Sequence, residues 1–162
     1  MIDPLNDKDL QAFMELHRIP GQILILDMPT PTVEAAAQAV GVSSRQIVKS
    51  VLFTVPAAAI LTISCGDQLV ERRAIASLYQ ISRKRVKLAS PEVVLELTGF
   101  SVGTVPPFGH RTLLRTLLDP RVLTFDEIYA GGGTHHALVR LNPQDIADIT
   151  QAEIIDLHTR PI

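Results

Sequence analysis

The sequence predicts an α+β fold, a single domain in which helices flank a mixed, largely antiparallel sheet. Three observations carry that expectation. Apolar residues recur at helical spacing in some segments and gather in short runs in others, and the two kinds of segment alternate along the chain. The run from Ser50 to Gly66 (SVLFTVPAAAILTISCG) has no charge over 17 residues. It holds Pro56 and several hydroxyl side chains and falls short of the roughly 20 apolar residues that span a bilayer, so it reads as two buried strands joined at Pro56-Ala57-Ala58. The 162 residues, 46% of them hydrophobic, suffice for one buried core.

Each element has its own justification. From Asn6 to Ile19, Leu10, Phe13, Met14 and Leu16 give a helix an apolar side, and Gln22 to Asp27 (QILILD) follows as a short strand. Thr32 is placed to cap a helix whose Val33, Ala36, Ala37 and Val40 share a face, and Gly41 stops it. Strands at Val48 to Val55 and Ala59 to Ser64 come next, then a helix near Leu69 to Gln80 and a strand at Arg85 to Leu88. Ser90-Pro91-Glu92 supplies an N-cap, a proline in the first helical position and an acid in the first turn, and Gly99 closes that helix. Strands are expected around Arg115 to Leu118, Glu127 to Ala130 and His136 to Leu141, and Asn142-Pro143-Gln144-Asp145 opens a last short helix. No repeat, linker or low-complexity tract intervenes, so one domain is expected over residues 1–162.

The stretch SVGTVPPFGH, Ser101 to His110, stands apart because it packs two glycines and two adjacent prolines into an uncharged loop. Pro106 and Pro107 have no N–H, which leaves the amides of Gly103, Thr104, Val105, Phe108 and Gly109 as donors, and residues before proline are pushed toward extended backbone. Such a loop is either a rigid structural turn or a set of aimed amides whose main chain is itself the working surface.

The ordered set T-x-x-x-A-A, Q-I-V-K-S-V-L-F, L-A-S-P-E, T-G-F, V-G-x-V-P-P-F-G-H, D-E-I-Y-x-G-G-G and H-A-L-V-R-L-N-P resembles the YbaK and prolyl-tRNA synthetase-associated editing domain family. The likeness covers about residues 30–150. It implies a mixed or barrel-like sheet flanked by helices, and an enzyme that hydrolyses a small wrong amino acid (alanine, 2-aminobutyrate, cysteine or serine) from tRNA, usually tRNA for proline. It further implies the aminoacylated tRNA 3′ end as partner and prolyl-tRNA synthetase as a second candidate, while the single Cys65 and an opening without signal-like charged, apolar and small-residue order lead us to expect a cytoplasmic protein. No cofactor is implied. Gly103 to Pro107 matches the family's G-x-x-x-P loop, with Thr104 where many relatives have glycine and Pro106 as an added rigid residue.

Two readings meet at Lys49, which opens an apolar strand. The residues alone allow a strand-end lysine whose head reaches solvent, or an ammonium that meets an anion. The resemblance implies the second, a lysine that holds the phosphate or ribose of the tRNA terminus, with Gly103, Thr104 and Val105 completing the catalytic set. Ser50 should face the other side of a regular strand and is a weaker pocket candidate. Pro106, Pro107, Phe108 and Gly109 are taken as substrate-binding with the loop. Gly131-Gly132-Gly133 lacks the G-K-[ST] of a phosphate loop, so Gly131 and Gly132 are read as a bulge or close backbone approach beside the pocket.

Histidines 110, 135 and 136 lack metal-ligand spacing, and neighbouring strand residues 135 and 136 would point apart, so no metal is expected. The resemblance favours His136 as the pocket histidine; a hydrogen-bonded core or surface histidine is the alternative. The single Cys65 excludes an internal disulfide and reads as core filler. A net charge of −2 gives no global attraction to nucleic acid or membrane. Any RNA contact must be local, and Arg83, Lys84 and Arg85, with Arg72 and Arg73 before them, form the strongest basic run. A non-catalytic aminoacyl or nucleotide binding module and a histidine-based metal hydrolase remain as competing classes.

Overall fold

The computed structural model describes residues 2–158; residue 1 and residues 159–162, the ends of the expected 1–162 domain, lie outside it. Five helices and eight strands follow one another as α1 (Asp7–Leu16), β1 (Gln22–Ile25), α2 (Val33–Val40), β2 (Ile47–Val55), β3 (Ala58–Cys65), α3 (Arg72–Tyr79), β4 (Lys87–Leu88), α4 (Pro91–Thr98), β5 (Arg115–Leu118), β6 (Ile128–Gly131), β7 (Ala137–Leu141), α5 (Pro143–Thr150) and β8 (Glu153–Ile154). One mixed sheet has the order β1-β7-β6-β2-β3-β5-β8, with β4 added to β2. The β1–β7, β6–β7, β2–β3 and β2–β4 pairs are antiparallel, and β2–β6, β3–β5 and β5–β8 are parallel.

The caps work as their residue types require. Asn6 and Asp9 form a capping box, the Thr32 hydroxyl accepts from the Ala35 N–H at 3.0 Å, and Ser90 accepts from Val93 at 3.3 Å ahead of Pro91. The uncharged run is the β2–β3 hairpin, in which Val55 lies opposite Ala58 across the turn at Pro56 and Ala57. Among the described residues no helix is long and apolar enough to cross a membrane.

Alternation along β2 divides the core. Val48 and Leu52 face a large cluster with Leu10, Phe100, Val139 and Ile146, beneath α1 and α5. Phe53 and Val55 face the opposite side, where Ile75 and Ala76 of α3 cover them. Ile47 shares that side with Ala36 and Ala37 of α2. Helices thus cover both faces of a sheet whose central strands are buried on each, which is why β2 and β3 read as unbroken apolar runs.

Two expectations change. The strand expected at Arg85 to Leu88 is a 3-10 turn at Arg83–Arg85 followed by the short β4, and β8 was not anticipated because two residues carry no readable period.

Candidate active site

Strand β2 has a gap on one edge. It pairs with β6 at Ile47 and Val48 and with β4 at Phe53 and Thr54, and among the described residues no strand lies beside the stretch between them on that edge. A cleft of about 400 Å3 opens there. Its walls are β2 from Val48 to Leu52, the segment Thr30 to Val33 leading into α2, the loop residues Val102, Gly103 and Val105, the end of β6, and His135; Leu88 and Ala89 close one end.

The proline loop is fixed from behind. The Thr104 N–H and hydroxyl both donate to the Ser101 carbonyl, at 3.0 and 2.8 Å, and the Thr104 carbonyl accepts from Gly133 at 3.0 Å. His110 Nε2 lies 2.7 Å from the Pro106 carbonyl, and Phe108 stacks on Phe13 with ring centroids 5.7 Å apart. Burial lowers the His110 pKa below its ordinary value, against the opposing pull of the Pro106 carbonyl, so the neutral imidazole donates its Nε2–H there. Among the described residues the Gly103 and Val105 N–H groups have no such bond. These two line the cleft.

Gly131 shows why a side chain is excluded beside the loop: a Cβ there would meet the Val105 carbonyl oxygen at 2.5 Å. The close-approach reading of the glycine run fits this contact. Gly132 is buried and would meet Ala137 in the same way, away from the cleft wall.

Lys49 borders the cleft with its ammonium donating to the Gln68 carbonyl at 2.5 Å. Burial lowers its pKa, and the carboxylate of Asp67, with weaker help from Cys65 and Glu34, opposes that shift. Asp67 itself meets Arg45 at 3.7 Å.

Several expected positions sit elsewhere than the sequence suggested. Thr104 is 2% exposed and turned into the protein, so it neither protrudes into the cleft nor offers a free amide. Pro106, Pro107, Phe108 and Gly109 lie behind the wall as its support. His136 is exposed and off the cleft, whereas His135 lines it. Both precede β7 in a turn, so strand alternation does not apply, and their carbonyls accept from Thr30 and Leu26 to tie down the segment before α2. Ser50 does line the cleft, and its hydroxyl is buried without a partner among the described residues. Arg83 to Arg85 are exposed on the turn that leads into Leu88 at the cleft's end. The Cys65 thiol is buried, its pKa pushed up to about 11 mainly by that burial. Among the described residues no three His, Cys, Asp or Glu side chains gather as a metal site would need.

Residues 27–149 match the model of the aminoacyl-tRNA editing domain. The chain belongs to that family. The multifunctional Ser/Thr-tRNA deacylase ProXp-y of Escherichia coli K12 is 36% identical over 98 residues, 60% of this chain and 58% of that protein. Proline–tRNA ligase of Maridesulfovibrio salexigens is 32% identical over 117 residues, 68% of this chain and 20% of the ligase. A solved structure described as a candidate trans-editing enzyme for prolyl tRNA synthetase superposes with a TM-score of 0.86 at 35% identity, covering 95% of this chain and 97% of that one.

Proposed function

We propose that this editing domain is a deacylase that hydrolyses the ester of a small wrong amino acid on tRNA, with tRNA for proline as the preferred carrier. The observation that carries the reading is the convergence of Lys49 with the unengaged amides of Gly103 and Val105 around one cleft. The relative named as a Ser/Thr-tRNA deacylase supports serine within the substrate class, and the match to proline–tRNA ligase supports tRNA for proline and that enzyme as a partner. Such a protein works in the cytoplasm, where charged tRNA is.

Water adds to the acyl carbon, the bond to the ribose oxygen breaks, and a free amino acid and an uncharged 3′ end leave. The negative charge that forms on the carbonyl oxygen is met by the Gly103 and Val105 N–H groups, whose positions the bonds behind the loop have already set. Lys49 leaves the Gln68 carbonyl for the phosphate or ribose of the tRNA end and fixes the ester against the amides. The cleft wall carries no Asp or Glu among the described residues. A ribose hydroxyl of the substrate therefore takes the part of activating the water. Arg83, Lys84 and Arg85 flank the cleft's end, where the acceptor stem's phosphates would lie.

The test is deacylation of tRNA for proline charged in turn with alanine, serine, cysteine, 2-aminobutyrate and proline. Faster release of one or more wrong amino acids than of proline is expected. Binding without release of any of them would make the protein a recognition module instead.

A further inference from the structure

The hydrogen bonds of β2 reveal which of its residues face which edge. The Ile47 carbonyl accepts from the Gly66 N–H at 2.6 Å on the β3 side, whereas the Leu52 carbonyl accepts from the Ala89 N–H at 3.0 Å on the β4 side. Main-chain groups alternate along a strand, so odd-numbered residues bond toward β3 and even-numbered ones toward the other edge. On that edge Val48 is beside β6, and Leu52 and Thr54 are beside β4. Ser50 is the even-numbered residue left between them. Its N–H and C=O face the gap, and its buried hydroxyl has no partner either.

Three polar groups of one residue thus have no partner among the described residues, the hydroxyl buried and the two main-chain groups facing the gap where a paired strand would otherwise bond them. An aminoacyl ester would bring the complementary set. Its α-ammonium needs acceptors, the wall supplies no carboxylate among the described residues, and the wall's charged side chain, Lys49, is itself a cation. A neutral acceptor must serve, and the Ser50 carbonyl is one that the strand pairing leaves free at the gap.

We propose that the main chain of Ser50 is the receptor for the aminoacyl head group: its carbonyl accepts from the substrate's α-ammonium, with the hydroxyl as a second acceptor, and its N–H donates to an oxygen of the acyl group. The identity of the ligand rests on the deacylase reading. The arrangement distinguishes free from blocked amines. Esters whose nitrogen is acylated, as in a peptidyl or formylated aminoacyl-tRNA, lose the ammonium and add bulk where the strand edge stands, so they are refused.

The experiment pairs a stable amide with its deaminated twin. Uniformly 15N-labelled protein is titrated with 3′-alanylamino-3′-deoxyadenosine and with the 3′-propionylamino analogue, and hydrolysis of alanyl-, N-acetylalanyl- and propionyl-tRNA is normalised to each ester's uncatalysed rate. The alanyl amide should move the Ser50 amide resonance and bind at least tenfold tighter than the propionyl amide, and the alanyl ester should show at least a tenfold greater enhancement than the other two. Ser50→Ala, which keeps the carbonyl, should lower affinity yet preserve the preference for the amine. Equal binding of the two amides, or a bound alanyl amide that leaves the Ser50 resonance unmoved, overturns the proposal. Selective binding without hydrolysis of any ester would sustain the receptor and remove the deacylase reading instead.

Discussion

A lone ammonium beside apolar walls persists only where nearby groups replace its hydration. At Lys49 the Gln68 carbonyl does this and the Asp67 carboxylate adds attraction through space, yet burial still holds its pKa below the ordinary value. Lys49→Ala should therefore fold normally, since the head group adds little to the core, while deacylation falls by at least about a hundredfold. Normal turnover in a folded variant would remove Lys49 from the site. Thr104→Ala should cost about 1 kcal/mol of stability through the lost bond to Ser101 and leave the rate nearly intact, because the side chain faces inward. Gly103→Ala is the sharper probe: at φ +88 a Cβ costs about 1–2 kcal/mol, though its nearest neighbour, a His135 carbon, lies 3.7 Å away. Turnover should fall with Gly103→Ala and not with Thr104→Ala; the reverse order, measured with melting curves on both, would replace the amide account with a side-chain one. Lys49 and Gly103 were legible because their types are unusual for their surroundings. His135 and Thr104 were not, since a turn rather than a strand holds the histidines and since direction inside a loop leaves no period in the sequence.

At the level of elements, the caps and apolar stripes were legible because local chemistry sets them, down to Thr32, Ser90 and Asn142. Strand order was not, because the pairing of β2 with β6 and of β3 with β5 depends on residues far apart in sequence. The proline loop, by contrast, is held by a local contact, the His110 ring against the Pro106 carbonyl four residues earlier. The folded protein holds His110 below its ordinary pKa of 6.5, so folding favours the neutral ring. That contribution is complete above about 6.5, where both states are neutral, and is lost progressively as the pH falls from there toward the folded value, while the unfolded chain takes up a proton that the folded one refuses. Urea midpoints should decline on acidification from about pH 6.5, and His110→Gln should flatten the decline in that window. An identical slope in the variant would assign the decline to other groups.

Seen whole, the molecule is slightly acidic, with a net charge of −2, so attraction to RNA has to come from a local patch. Neutralising Arg83, Lys84 and Arg85 together should weaken binding of charged tRNA and flatten its salt dependence, each lost phosphate contact reducing the slope by about 0.7–0.9, while turnover of a minimal aminoacyl-adenosine changes little. An unaltered slope would make the run a solvated surface. The parallel contact of Ile47 and Val48 with Tyr129 and Ala130 has a consequence in time rather than in space. Contacts between segments so distant in the chain close late in folding, after local helices and the β2–β3 hairpin. Because one wall of the cleft comes from residues near Lys49 and another from the end of β6, the cleft is incomplete until the chain as far as β6 has been made and has folded. The pocket is therefore among the last features of this fold to form, and a chain halted before β6 has no cleft to offer a substrate.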